Sequence, residues 1–461
     1  MVSLPPAYIE RMKDMLGEEA NAFLQSYEHQ RTQGLRLNPL KIVPGSTVSE
    51  KLIQTFELEP VPWCWAGYYY DEKLRPGKHP FHAAGLYYIQ EPSAMSAVAM
   101  LNPAPGETVL DLAGAPGGKS TQIAGCMQGK GLLIANEIHP TRAKILSENI
   151  ERMGITNAVV TSAAPDKLAK KFPIFFDKIM LDAPCSGEGM FRKDPDAIAE
   201  WSPDHVAMCA ARQMDILPDA VAMLKAGGLM AYSTCTFNRE ENEYTVEELL
   251  RRYPEMELLR TERIWPHKQK GEGHFVALLR KKDLQEESEL EQIKTAHSAR
   301  RKTSPIKPAK INKQTAEALQ QFENFCKAAI PDYSFDRMEP LLFGEQLYLL
   351  PSTEDFGSQH LDGLKVLRPG LHAGELKKNR FEPSHALALA LTAGELQTAR
   401  TYSINADSKE AEAYLRGEAL FTGRAESGWV VIAVDGFPLG WGKESEGQIK
   451  NHYPKGLRRT F

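Results

Sequence analysis

The sequence predicts an α/β protein: a doubly wound, mostly parallel sheet, with a small α+β domain before it and an α+β region after it. Three observations support this. Between about residues 76 and 282, short apolar runs alternate with helical segments, the pattern of parallel strands joined by crossover helices. A glycine-rich turn, Gly114-Ala115-Pro116-Gly117-Gly118, joins the first apolar run to the first helix. At 461 residues the chain is too long for one ordinary domain.

The elements follow in order. Residues 1–75 mix helical patterning (Pro6 to Tyr27) with a basic stretch, Arg31 to Lys41, and an aromatic cluster, Pro62-Trp63-Cys64-Trp65 and Tyr68-Tyr69-Tyr70. The cluster is either a small core and domain contact or a surface that stacks on bases. Residues 76–282 hold six expected strands: Thr108–Leu112, Gly131–Asn136, Ala158–Thr161, Asp177–Leu181, Leu229–Tyr232 and His274–Leu279. The helices between them are Lys119–Met127, Thr141–Met153 and His205–Leu224. Residues 283–314 form a charged linker, acidic first, then basic from Lys294 to Lys313, either a solvated tether or a phosphate-binding strap. Residues 315–461 open with a helix over Gln314 to Ala329, continue with a strand over Gln346 to Leu350 and a helix over Ser384 to Leu391, and end in strands, with a subdomain break near 395–400.

Composition narrows the function classes. No apolar stretch approaches the roughly 20 residues that span a bilayer. The opening residues lack a basic region followed by an apolar core, so no signal peptide is expected. Six scattered cysteines without a CxxC pair argue against a metal site or a disulfide scaffold, and for a reducing cytoplasm. No pattern suggests an oligomer seam, so a monomer is expected. A net charge of −5 argues mildly against nucleic acid, but an average conceals any basic face.

The chemistry concentrates at three strand ends. Asp111-Leu112-Ala113-Gly114-Ala115-Pro116-Gly117-Gly118-Lys119-Ser120 lets backbone approach a ligand beside a helix start. It nearly fits the P-loop pattern, with Ala113 where the first glycine belongs, so a nucleotide hydrolase is one reading. Glu137 favours S-adenosylmethionine instead. It ends the second strand, 26 residues after Asp111, where an acid can accept from both ribose hydroxyls. Two cysteines 50 residues apart, in Asp182-Ala183-Pro184-Cys185-Ser186-Gly187 and Ser233-Thr234-Cys235-Thr236, sit near the carboxyl ends of strands. A thiolate is a strong nucleophile near neutral pH, and two of them beside one cofactor site suggest a covalent intermediate that is made and then released. The remaining cysteines, Cys64, Cys126, Cys209 and Cys326, read as small hydrophobes.

At these residues the chain resembles the NOL1/NOP2/Sun family of RNA cytosine-5 methyltransferases. Tyr88-Ile89-Gln90-Glu91-Pro92-Ser93, Arg212-Gln213 and Glu240-Glu241-Asn242 extend the match, which covers roughly residues 1–282. Phe381-Glu382-Pro383-Ser384-His385 resembles the C-terminal extension of bacterial ribosomal methyltransferases of the RsmF type. The resemblance implies a Rossmann-like class I S-adenosylmethionine-dependent methyltransferase core, an N-terminal RNA-binding domain and a C-terminal RNA-binding, PUA-like region. It implies cofactor contacts from Ala113, Gly114, Ala115, Pro116, Gly117, Gly118, Lys119, Glu137, Arg142 and Asp182. It implies Cys235 as nucleophile toward carbon 6 of cytosine, Cys185 in product release, Asp182 at N3 of the base, and Lys119 orienting Asp182 or lowering a thiol pKa. The implied partner is 16S ribosomal RNA or the 30S subunit, with transfer RNA as the alternative. Arg36, Lys41, Lys443, Lys455, Arg458 and Arg459 are candidate phosphate contacts. One departure stands out. Ala164 occupies the position where the family carries an adenine-contacting aspartate, with Asp166 two residues on.

Overall fold

The computed structural model describes residues 4–283 and 312–459 apart from Arg337 and Asn379. Nearly all of the charged linker, and with it the choice between tether and strap, lies outside the described residues.

The centre is an eight-stranded sheet. Its strands are β1 (Thr108–Asp111), β2 (Leu132–Asn136), β3 (Ala158–Thr161), β4 (Phe176–Asp182), β5 (Leu224–Thr234), β6 (Met256–Ile264), β7 (His274–Lys281) and β8 (Val366–Pro369). They lie in the order β6-β7-β5-β4-β1-β2-β3-β8. The five strands from β5 to β3 are parallel, and β6, β7 and β8 are antiparallel additions. Helices cover both faces, so every residue of β2 and β3 is buried and their sequences read as apolar runs up to the closing Asn136 and Thr161. Strand order reverses between β1 and β4, which opens a crevice at their carboxyl ends.

Three helices position the site. α1 (Gly118–Met127) is buried almost all round. α2 (Pro140–Arg152) buries Ala143, Leu146 and Ile150, one face at helical spacing. α3 (Pro203–Met223) starts at Ser202, whose hydroxyl accepts from His205 N at 3.0 Å.

Four expectations change. β6 is an additional strand; its run Glu257 to Arg263 is mostly polar because it lies at the sheet edge. β5 starts five residues early, at Leu224, through the Gly227 kink at φ 74°. β8 comes from the C-terminal region and pairs with β3, Val366 opposite Thr161, so that region completes the central sheet. The basic stretch Arg31–Lys41 is not a charged surface. It forms the buried strand Gly34–Leu37 of a four-stranded N-terminal sheet. Arg36, 2% exposed, donates to Gly118 O at 3.0 Å and Thr121 Oγ1 at 2.7 Å, which fastens this sheet to α1. Lys41 turns inward onto Ala84 O at 2.6 Å.

The C-terminal region adds a four-stranded antiparallel sheet (residues 338–383) and a five-stranded sheet (residues 401–451). Leu35, Phe56 and Phe81 of the N-terminal domain share one apolar cluster with Ile404 and Ile432 of the last sheet and Tyr414 of the helix Lys409–Arg416. Trp63 donates to Pro92 O at 2.7 Å and Tyr68, Tyr69 and Tyr70 are half-buried, so most of the aromatic cluster is packing. Trp65 is the exception at 61% exposed. Among the described residues, no helix is long and apolar enough to cross a membrane.

Candidate active site

The turn after β1 is shaped by glycine. A Cβ on Gly114 would lie 2.7 Å from Ser120 Oγ and 3.2 Å from Asp111 Oδ2. Gly117 has φ 120°, a conformation that side chains resist. α2 holds the turn from behind: Arg142 Nη2 donates to Ala115 O at 3.0 Å and Asn149 Nδ2 to Pro116 O at 2.9 Å. Asp111 is wholly buried, and burial raises its carboxyl to about 7. Ser120 Oγ donates to its Oδ2 at 2.5 Å, while Oδ1 has no partner among the described residues. Glu137, 3% exposed, accepts from His139 N at 3.0 Å and lies 3.5 Å from Arg142 Nη1.

β4 and β5 run side by side with Asp182 opposite Ser233, so their ends bring both cysteine motifs together. Cys185 Sγ and Cys235 Sγ are 3.3 Å apart. The hydrogen bond with Cys235, then burial, then the charges of Cys235, Glu241 and Asp182 push the Cys185 thiol far up, so Cys185 keeps its proton. Lys119 Nζ lies 2.8 Å from Asp182 Oδ2, and Ser233 Oγ donates to Asp182 Oδ1 at 2.8 Å. Burial works to raise Asp182, but Lys119, His274 and these hydrogen bonds outweigh it and hold the carboxyl below its ordinary range. Lys119 is therefore committed to Asp182 rather than free for a phosphate, which removes the basis for a P-loop hydrolase.

Two buried acids support the cysteine loops. Glu241 accepts from Ser186 N at 2.9 Å, Gln213 Nε2 at 3.0 Å and Asn238 Nδ2 at 2.7 Å. Glu188 accepts from Phe237 N at 2.7 Å, Asn238 N at 2.9 Å and Trp201 Nε1 at 3.1 Å. Together they clamp the chain after Cys185 to the chain after Cys235.

A cleft of about 340 Å³ joins these parts. Ala113, Gly114, Ala115, Pro116, Gly118, Lys119, Arg142, Asp182 and Cys235 line it; Gly117, Glu137 and Cys185 adjoin it. On the adenine side, neither Ala164 nor Asp166 lines the cleft. Asp166 is exposed in the first turn of the helix Pro165–Lys171 and pairs with Lys170 at 2.9 Å. The candidate phosphate contacts divide. Lys443, Lys455 and Arg458 are exposed, Arg459 is half-buried on Lys78 O at 2.8 Å, Lys41 is half-buried on Ala84 O at 2.6 Å, and Arg36 is internal. Sequence reasoning missed Lys193, Glu272 and His274, which also line the cleft. His274 follows Gly271-Glu272-Gly273, an irregular run before a strand that was the available signal. Among the described residues no cluster of His, Cys, Asp or Glu is arranged to hold a metal ion.

Four family models match regions of this chain. Residues 98–280 match the model of 16S rRNA methyltransferase RsmB/F. Residues 4–92 match the N-terminal domain of 16S rRNA methyltransferase RsmF, 324–391 its first C-terminal domain, and 401–459 its PUA domain. A ribosomal RNA small subunit methyltransferase F of Vibrio campbellii is 33% identical over 99% of this chain and 98% of its own length. One of Erwinia tasmaniensis is 33% identical over 99% and 97%. A methyltransferase homologue from Pyrococcus horikoshii superposes with a TM-score of 0.55 at 28% identity, over 61% of this chain and 96% of that one. NSun6 from the same organism, solved with SFG, shares the fold with a TM-score of 0.55 at 23% identity, over 61% and 99%. Similarity that runs through all four regions and both cysteine loops makes the chain a member of the RsmB/F family of 16S rRNA methyltransferases.

Proposed function

We propose that the chain transfers a methyl group from S-adenosylmethionine to carbon 5 of cytosine in small-subunit ribosomal RNA, through a covalent bond between Cys235 and carbon 6. The observation that carries this reading is the pair of sulfurs 3.3 Å apart beside the Lys119–Asp182 ion pair, at the ends of adjacent strands. The cleft suits the cofactor. The glycine cradle admits backbone contact, the α1 start offers unpaired N–H groups, and Glu137 after β2 can take the ribose hydroxyls. Arg142, on Ala115 O and beside Glu137, steadies both. When bound, the cofactor supplies an electrophilic methyl group.

The residues then divide the work. Cys235, as thiolate, bonds to carbon 6, and the electrons of the 5,6 double bond make carbon 5 nucleophilic. Asp182 shares a proton with N3, which draws electrons from the ring. Its side chain is 36% exposed; a base closing over it excludes that water and raises the carboxyl toward the pKa of N3. Once Cys235 is a thioether, its hydrogen bond and charge no longer raise Cys185; burial and the charges of Glu241 and Asp182 remain, and Cys185 ionises more readily than before. Cys185 then takes the carbon 5 proton. With the methyl group now on carbon 5, the C–H electrons restore the double bond, Cys235 departs as thiolate, and the N3 proton returns to Asp182. The base must reach this cleft unstacked, which favours loosely paired RNA.

The test compares Cys185→Ala with Cys235→Ala on unmodified 30S subunits carrying labelled cofactor. Cys185→Ala should accumulate a covalent RNA–protein adduct that resists denaturing gels. Cys235→Ala should give neither adduct nor methylated RNA. An adduct from Cys235→Ala instead would reverse the two roles. Transfer RNA runs in parallel, and label there alone would overturn the substrate.

A further inference from the structure

A second cavity, about 470 Å³, opens where three parts of the chain meet. Its walls include His82 of the N-terminal domain, Asn149 and Arg152 of α2, and His385, Tyr453 and Arg459 of the C-terminal region. Two cations line it, Arg152 and Arg459, and Lys41 lies close to Arg152. Arg152 donates to His82 O at 3.3 Å, Tyr87 O at 3.2 Å and Asn149 Oδ1 at 2.8 Å. Arg459 donates to Lys78 O at 2.8 Å. Lys41, near enough to Arg152 for the two to repel, donates to Ala84 O at 2.6 Å. Every one of these acceptors is a neutral carbonyl or amide. Among the described residues neither arginine is paired with a carboxylate, and neither is Lys41. Of the acids at the cavity, Glu151 is engaged by Arg368 and Glu148 is exposed.

Converging like charges without a counter-ion are unfavourable unless an anion completes them. The electrostatics agree. Burial, then repulsion from Arg152, brings Lys41 down to about 7. Burial, with Arg152 and Arg459 adding to it, brings His82 to about 2. Both histidines at the cavity are thus neutral near pH 7, for burial also lowers His385, to about 4. The cavity is also tied to the cofactor cleft. Asn149, held by Arg152, donates to Pro116 O at 2.9 Å, and Arg152 lies 5.4 Å over the ring of Tyr88, a residue of the cleft wall.

We propose that this cavity receives a phosphodiester of the substrate RNA, with Arg152 and Arg459 gripping its oxygens. The assignment rests on the RNA methyltransferase reading for the identity of the anion, and on nothing in the cysteine chemistry. A guanidinium fork suits a phosphate, and each phosphate neutralised releases counter-ions. Because the grip is made by α2, the N-terminal domain and the chain end together, RNA in this cavity also braces the turn that holds the cofactor.

The experiment measures affinity of the full-length chain for a protein-free small-subunit rRNA transcript between about 50 and 200 mM salt. Arg459→Gln is the main variant, because glutamine can still donate to the Lys78 carbonyl. Loss of one phosphate contact should lower the slope of log affinity against log salt by about 0.7–0.9. Affinity should fall roughly tenfold at low salt, with cofactor affinity unchanged. Arg459→Lys, which keeps the charge, should recover most of the slope. Inorganic phosphate should compete with RNA for wild type more than for Arg459→Gln. An unchanged slope in Arg459→Gln, with wild type binding RNA normally, would overturn the assignment, even where inorganic phosphate alone stabilises the protein. Wild type that binds no RNA would instead overturn the RNA reading on which it rests.

Discussion

Replacing Glu272 with glutamine removes one charge from a buried pair and changes little else. Arg192 Nε lies 2.7 Å from Glu272 Oε2, and the two side chains are 6% and 2% exposed. Arg192 also donates to Ser26 O at 2.9 Å and Gly271 O at 3.2 Å, while Glu272 Oε1 accepts from Thr32 N at 2.8 Å. The pair thus joins the N-terminal domain, the chain after Cys185 and the loop before β7. Removing one partner of a buried pair costs about 3–5 kcal/mol, because the remaining charge stays desolvated without a counter-ion. Glutamine can keep its oxygen on Thr32 N, but its NH2 then faces Arg192 and offers no acceptor, so Glu272→Gln should cost about 3 kcal/mol or more. Glu272→Ala also orphans Thr32 N and should cost about 1–3 kcal/mol more. Urea unfolding followed by tryptophan fluorescence is the assay, since Trp201 and Trp265 pack in the aromatic cluster beside this pair. In a cycle with Arg192→Met, the double variant should be more stable than the sum of the singles predicts, with a coupling of at least about 1 kcal/mol. A loss below about 1 kcal/mol for Glu272→Gln, or strict additivity, would refute the argument that this pair is electrostatically closed off from water.

Other outcomes follow from the site. Gly117→Ala forces φ 120° on a side chain whose Cβ would lie 3.2 Å from Asn149 Cβ; cofactor affinity by calorimetry should fall at least about tenfold, equivalent to the roughly 1–3 kcal/mol of strain. Burial lowers His274 to about 3, so its contribution is complete above the ordinary value of about 6.5 and declines by about 1.4 kcal/mol per pH unit as pH falls toward 3. His274→Phe should therefore flatten the loss of stability between those limits, read by denaturation at stepped pH. Asp182→Asn should cut methyl transfer about 10²–10⁴-fold at saturating cofactor, as expected for removal of a group that moves a proton. Asp182 sits below its ordinary pKa, so its stabilising contact with Lys119 is present above that ordinary value and is lost as pH falls through the lowered one. In Lys119→Met the acid limb of activity should accordingly move to higher pH.

How much of this was legible depended on how local each signal was. The buried strands were visible because both faces of a parallel sheet are covered, which leaves unbroken apolar runs such as Leu132–Ala135. The turn at Gly114–Gly118 and the two cysteine motifs were visible because backbone approach and thiol chemistry demand particular residues at adjacent positions. β6 and β8 were not, since an edge strand is defined by its partner; Val366–Pro369 reaches β3 across some 200 positions of the chain. Charge misled for the same reason. Arg36 and Lys41 look like phosphate contacts in a basic stretch, yet Arg36 is internal, Lys41 is half-buried on a carbonyl, and only folding places Lys41 near Arg152. Asp166 looked like a possible replacement for a missing acid, but pairs with Lys170 on the surface.

The sequence by itself determined the central sheet, the glycine turn and the identity of the groups at the ends of β1, β4 and β5, because periodicity and motif spacing are properties of neighbouring residues. Only the tertiary structure decided that the sulfurs of Cys185 and Cys235 lie 3.3 Å apart, that Glu272 and His274 enter the cleft, and that Arg152 and Arg459 meet at a domain junction. Distance, burial and charge pairing arise from contacts between segments far apart in the chain, and no local pattern records them.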